Sequence, residues 1–208
     1  VQEIQIVKPG GSNSPFIFKV EFVYTEGGVV LPEEYKWNFT ADYTTDINVS
    51  DSKTYKYEAG AVTEVAYASE EEVLYFFPNA KAIKTNSKKS NTDGVTYKPL
   101  SYGGAAAYMF IRTAKSGTLK VTASVGKSVT DTGNCKLGIK VNGTSYGTDV
   151  DLDCYDQDKD VLGAKEYEWQ IENTTGTVQE IQIVKPGGSN SPFIFEVVFL
   201  TEGSAAPV

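Results

Sequence analysis

Six aspartates, Asp149, Asp151, Asp153, Asp156, Asp158 and Asp160, fall within the twelve residues DVDLDCYDQDKD. Carboxylates at that density are the ligands a hard cation takes. Asp156, Asp158 and Asp160 have the 1, 3, 5 spacing of an EF-hand calcium loop, yet the glycine needed at its sixth position is Val161 and the bidentate glutamate at its twelfth is Tyr167. That loop is therefore not formed. The two readings that stay open are a looser structural Ca²⁺ site on Asp156, Asp158 and Asp160, aided by loop carbonyls, and a solvated acidic loop. No other cofactor is expected.

A second cluster has the opposite sign. KAIKTNSKKSNTDGVTYK carries Lys81, Lys84, Lys88, Lys89 and Lys98 against the single carboxylate of Asp93. Such a patch either solubilises a loop or meets a polyanion, and Lys88 and Lys89 are its candidate ligand contacts. Flat rings that stack on the C–H faces of sugars are the third kind of candidate. Tyr97, Tyr102, Tyr146 and Tyr155 lie near turn signals and are expected to stand exposed. Trp37 and Trp169 lie on the apolar side of alternating strands and are expected in the core.

Catalytic schemes fare worse. The chain has no histidine, which removes the usual general base of serine and cysteine hydrolases. It has no Gly-x-Ser-x-Gly elbow, phosphate loop or dinucleotide fingerprint. Paired-carboxylate glycoside hydrolysis stays chemically open, but Glu166, Glu168 and Glu172 alternate with Tyr167, Trp169 and Ile171 and read as a solvated sheet face. The expectation is a protein that binds and does not catalyse.

The elements that would position these residues are strands. Thirteen Tyr, ten Phe and 19 Gly suit half-buried pleated surfaces joined by tight turns. Alternation marks EYKWNFTADYT, EVLYFF, AYMFIRT, GTLKVTASV, KLGIKVNG, TDVDLDCY and EYEWQIEN as strands, and Asn142-Gly143 as a hairpin turn. About ten such strands, each apolar on one face, predict an all-β antiparallel sandwich of jelly-roll type. AVTEVAYASEEE at 61–72 is the one helix-like stretch. Cys135 and Cys154 flank the Asn142-Gly143 hairpin, so a disulfide and two buried thiols are both open.

The charge of −8 and pI of about 4.7 argue against nucleic acid as a partner. No apolar run approaches the roughly 20 residues that cross a bilayer, so no membrane insertion is expected. With neither a start Met nor a secretory leader, the chain reads as a piece of something longer.

VQEIQIVKPGGSNSPFIF occurs twice without a change, at 1–18 and 178–195. A period of 177 residues exceeds that of solenoid repeats and points to whole domains in tandem. Residues 1–27 are read as the C-terminal hairpin of a preceding module or as added edge strands, 28–32 as a linker, 33–203 as one module and 204–208 as the start of another linker. Each copy is predicted to fold as a hairpin about KPGGSNSP, whose Ser189, Asn190 and Ser191 could also bond hydroxyls. Residues 1–25 are expected to pair with a sheet edge, on their own module or in a strand-swapped self-association.

WNFT (37–40), TYKPLSYGG (96–104), AYMFIRTAKSGTLKVTASV (107–125), KLGIKVNGTSYG (136–147) and VQEIQIVKPGGSNSPFIFEVVF (178–199) together resemble modules appended to secreted bacterial polysaccharide-degrading enzymes and scaffold proteins. The resemblance, over about 33–200, is to carbohydrate-binding modules of gut and rumen Firmicutes, including pectate-lyase accessory domains and cellulosome- or amylosome-like assemblies. It implies a non-catalytic module, secreted or at the bacterial cell surface, with a polysaccharide as partner. The abundant Tyr and low pI favour starch or another neutral glucan as the ligand. Pectin binding through the 81–98 lysines, and a structural spacer or adhesin repeat, are the alternatives.

Overall fold

The computed structural model describes residues 32–39, 46–89, 96–125, 133–153 and 164–202. All belong to one compact unit, Leu31–Gly203. The expectations placed on 1–27, on Cys154 and Tyr155, and on Asp156, Asp158 and Asp160 lie outside the described residues.

Sixteen strands and no helix occur among the described residues. The first half of the chain gives β1 (Glu34–Asn38), β2 (Asn48–Val49), β3 (Thr54–Glu58), β4 (Ala61–Val65), β5 (Leu74–Phe77), β6 (Ile83–Thr85), β7 (Lys88–Lys89) and β8 (Thr96–Tyr97). The second gives β9 (Leu100–Tyr102), β10 (Tyr108–Thr113), β11 (Gly117–Val125), β12 (Lys136–Val141), β13 (Thr144–Asp151), β14 (Lys165–Ile171), β15 (Gln179–Gly187) and β16 (Pro192–Thr201). One sheet has the order β14-β11-β16-β9-β6-β2, with β1 also paired to β16, and the other the order β13-β12-β15-β10-β5-β3-β4; β7 and β8 form a separate ribbon. Every pairing is antiparallel. The predicted all-β antiparallel sandwich is what forms.

Period-two alternation fills the space between the sheets. Leu119, Val121 and Ala123 of β11 with Val197 and Phe199 of β16 line one side, and Met109, Ile111, Ile139, Ile181 and Ile183 the other, all nearly or fully buried. A bulge keeps this pattern in register: Thr122 pairs with Glu196 but Ala123 with Ile194, so Phe195 is an extra residue and both Ile194 and Val197 reach the core. The β12–β13 turn holds Asn142 at φ 49° and Gly143 at φ 79°, as the sequence predicts for a two-residue hairpin.

Two expectations are corrected. β15 and β16 are not a hairpin: β15 pairs with β12 and β10 in one sheet, and β16 with β11, β9 and β1 in the other. The connection at 188–191 crosses between sheets, and Asn134 O accepts from Asn190 N at 3.1 Å. Gly188, at φ 91°, packs so tightly on Asn134 that a β-carbon would overlap its carbonyl. The helix-like stretch at 61–72 begins as β4, because Val62, Thr63 and Val65 suit an extended chain. Cys135 is a free buried thiol; a register shift in the β12–β13 pair brings Leu152 opposite it, with Leu152 N donating to Cys135 O at 3.0 Å.

Candidate functional site

Strand β1 reads EYKWN. Its Tyr35 and Trp37 pack against the core while Lys36 points away from it. Across from β1, on the other sheet, the β3–β4 hairpin turns at Ala59-Gly60, where both residues have positive φ, 48° and 82°. Tyr57 faces inward, its ring edge-on to Phe39 at 5.2 Å, and Lys56 faces outward.

The chain from β4 to β5 then folds back toward Lys56, fastened to the end of β10. Arg112 Nη1 donates to Ala68 O at 2.8 Å, Glu72 N donates to Arg112 O at 2.8 Å, and Thr113 Oγ1 donates to Glu72 Oε1 at 2.8 Å. Glu70 N donates to the Tyr75 hydroxyl at 3.1 Å.

Between these elements lies a cleft of about 570 Å³, lined by Lys36, Trp37 and Asn38 of β1, by Lys56 to Gly60 of the hairpin and by Glu70, Glu72 and Val73. Its volume falls in the range of small-ligand sites. Lys56 Nζ donates to both Glu70 carboxylate oxygens at 2.9 Å and stands 3.5 Å from Glu58. Lys36 Nζ pairs with Glu196 at 2.7 Å, and Glu72 lies 3.7 Å from Lys115. The Glu70 contact raises the Lys56 pKa, and the Glu196 contact raises that of Lys36. The rim thus offers ammonium donors alternating with carboxylate acceptors, each held by a partner, around a half-buried indole. This chemistry suits hydroxyl groups, which donate and accept at once.

A second surface lies on the outer face of the sheet that contains β10. Tyr108 and Phe77 are paired across β10 and β5, with ring centroids 5.4 Å apart, and Tyr75 and Phe110 stack at 5.2 Å. Tyr108 and Phe77 are half-buried, whereas Tyr75 and Phe110 are covered. Tyr67, on the segment after β4, is 72% exposed.

Among the described residues, neither surface contains Tyr97, Tyr102 or Tyr146. Tyr102 is fully buried in the core and cannot meet a ligand, because the LSY segment forms a short strand between β6 and β16. Tyr146 packs its ring on the core, and its hydroxyl accepts from Glu172 N at 3.2 Å. Tyr97 is half-buried and pairs with Lys88 across β8 and β7, as Thr96 does with Lys89. Lys98 donates to Asp46 at 2.8 Å, a partner from outside its own loop. Trp169 is buried as expected, its Nε1 donating to Thr148 O at 3.3 Å, while Trp37 is half-exposed in the cleft. Among the described residues no three metal-ligating side chains stand together.

The residues missed carried partial signals. Lys56 and Glu58 alternate with Tyr55 and Tyr57 and must face outward. AYMFIRT and EVLYFF place aromatics on both strand faces, Tyr108 and Phe110 on one strand and Tyr75 and Phe77 on the other, which is more than a single core face needs.

No protein-family model and no curated protein sequence matches the chain. Among solved structures, it is similar to the CBM22-1 xylan-binding domain of Paenibacillus barcinonensis Xyn10C, at 8% identity and a TM-score of 0.42 over 88% of this chain and 100% of that one. The xylan-binding module CBM15 gives 13% and 0.30 over 77% and 99%. The acetyl xylan esterase Est2A of the rumen bacterium Butyrivibrio proteoclasticus gives 11% and 0.35 over 61% of this chain, which spans only 31% of the esterase. At this distance no function passes from these proteins to this chain.

Proposed function

We propose that the unit binds a neutral polysaccharide chain without cleaving it, with the cleft between β1 and the β3–β4 hairpin as the binding site. The observation that carries this reading is the lining of the cleft: the half-exposed Trp37 indole beside Lys36, Lys56, Glu58 and Glu70. A pyranose has apolar C–H faces and a hydroxyl rim, and both find partners here. The net charge of −8 weighs against a polyanionic ligand. A glucan such as starch fits this reading, and an extracellular setting follows from it.

Native affinity gels containing soluble starch, xylan, xyloglucan or homogalacturonan test the proposal. At least one neutral polymer should retard the protein. Lys56→Met and Glu70→Gln, both at the cleft rim, should weaken retention about tenfold, the worth of one hydrogen bond to a charged group, with little change in melting temperature. If none of these polymers retards the protein, glycan binding fails and a spacer role stands; if only homogalacturonan does, the ligand is anionic.

A further inference from the structure

The repeated eighteen residues do not fill a peripheral place. The copy at 178–195 supplies β15, which lies between β12 and β10, and the start of β16, which lies between β11 and the edge shared by β9 and β1. Ile181, Ile183 and Ile194 from it are buried in the core.

The match with the first copy also continues where burial demands it. Val20 and Phe22 correspond to Val197 and Phe199, both fully buried. The differences, Lys19 for Glu196, Glu21 for Val198 and Val23 for Leu200, fall on the other face of β16. There Val198 stands directly opposite Lys36 on β1 and Lys120 on β11. A glutamate at that position, as Glu21 would be, faces a lysine on either side.

Connectivity allows the same substitution. β1 runs antiparallel to β16, with Glu34 opposite Leu200 and Thr201 N donating to Glu33 O at 2.9 Å. A segment ending in the β16 place can therefore turn directly into β1. Ten residues, 24–33, separate Val23 from Glu34, and a hairpin needs only two to five.

We infer that residues 1–23 and 178–200 are alternative occupants of one central place, so that the body from β1 to β14 can be completed by either end of the same chain. The two occupants bury the same side chains, so exchange costs little in packing, and only their outer faces differ.

The test uses the full 208-residue chain and Ile183, which lies between Ile139 and Met109 in the core and corresponds to Ile6 in the first copy. An aspartate there puts an unpaired charge in the apolar interior, a lesion that should prevent folding of a chain with a single copy. The expected results are cooperative thermal unfolding of I183D with a melting temperature within a few degrees of the wild type, wild-type behaviour for I6D, and loss of any cooperative transition in I6D/I183D. An I183D chain that fails to fold overturns the inference, because the first copy then cannot replace the second. A double variant that still melts cooperatively overturns it equally, because neither copy is then required.

Discussion

Replacing Tyr102 by phenylalanine removes one oxygen from the middle of the unit, and the surroundings of that oxygen set the sign of the effect. Tyr102 is fully buried, and its hydroxyl, near the Met109 backbone, closes no hydrogen bond. A buried hydroxyl without a partner costs about 1–3 kcal/mol of lost hydration, while phenylalanine keeps the ring and its contacts. Tyr102→Phe should therefore stabilise by about 1 kcal/mol, or about 2–4 °C in a domain of this size. Tyr102→Ala empties the site and should cost about 3–5 kcal/mol.

Burial also pushes the Tyr102 phenol well above its ordinary range, so the folded protein keeps this proton at pH values where the unfolded chain, with a pKa of about 10, has lost it. The contribution is fully present below the unfolded value. Above it the unfolded state binds one proton fewer, and stability falls by about 1.4 kcal/mol per pH unit until the folded pKa is reached. Tyr102→Phe has no such loss, so its advantage should widen above about pH 10. Thermal melts of the wild type and both variants at neutral and alkaline pH measure this. A phenylalanine variant that melts below the wild type at neutral pH refutes the unpartnered hydroxyl, and a gap that stays constant into the alkaline range refutes the raised phenol.

Cys135 gives a related alkaline signature. Burial pushes its thiol up to about 12, so it should resist iodoacetamide in the native protein and react in urea, and its stabilising contribution should decline from about pH 9 upward at the same slope; peptide mapping that finds Cys135 alkylated in the folded chain contradicts this. Ala59 sits at φ 48° in the β3–β4 turn, a conformation that asparagine tolerates better than alanine. Ala59→Asn should raise stability by about 0.5–1 kcal/mol in urea titration, and a lowered midpoint would show that Ala59 is not strained there.

What the sequence made legible is whatever repeats with the strand period. AYMFIRT, GTLKVTASV and EYEWQIEN form β10, β11 and β14, with the expected face inward. Asn142-Gly143 is legible because few other residue pairs accept two successive positive φ values. Alternation says that a strand has an inner face but not which neighbour it pairs with, so β15 and β16, with four residues between them, read as partners yet belong to opposite sheets. Tyr102 misleads for a similar reason. Its neighbours Ser101, Gly103 and Gly104 look like a loop, yet β9 is held on both sides by β6 and β16. The cleft was least legible of all, because Lys56 and Glu70 meet only through the Arg112 and Thr113 contacts that fold 68–72 back on the hairpin, and a contact of that kind leaves no periodic trace.

The cleft and the repeated segment are linked through one side chain. Lys36 lines the cleft, and its carboxylate partner, Glu196, belongs to β16; Asn38, also in the cleft, donates to the same carboxylate at 3.4 Å. With residues 1–23 in that place, Lys19 stands at the position of Glu196 and Glu21 at that of Val198. Lys36 would then face Glu21 at the position of Val198, its partner in register, and Asn38 would face Lys19 at the position of Glu196. The strand face beside the cleft changes from one negative charge, on Glu196, to a balanced Lys19 and Glu21, so this wall becomes more positive by one charge. An exchange that leaves the core unaltered would thus retune the cleft's preference between neutral and acidic sugars.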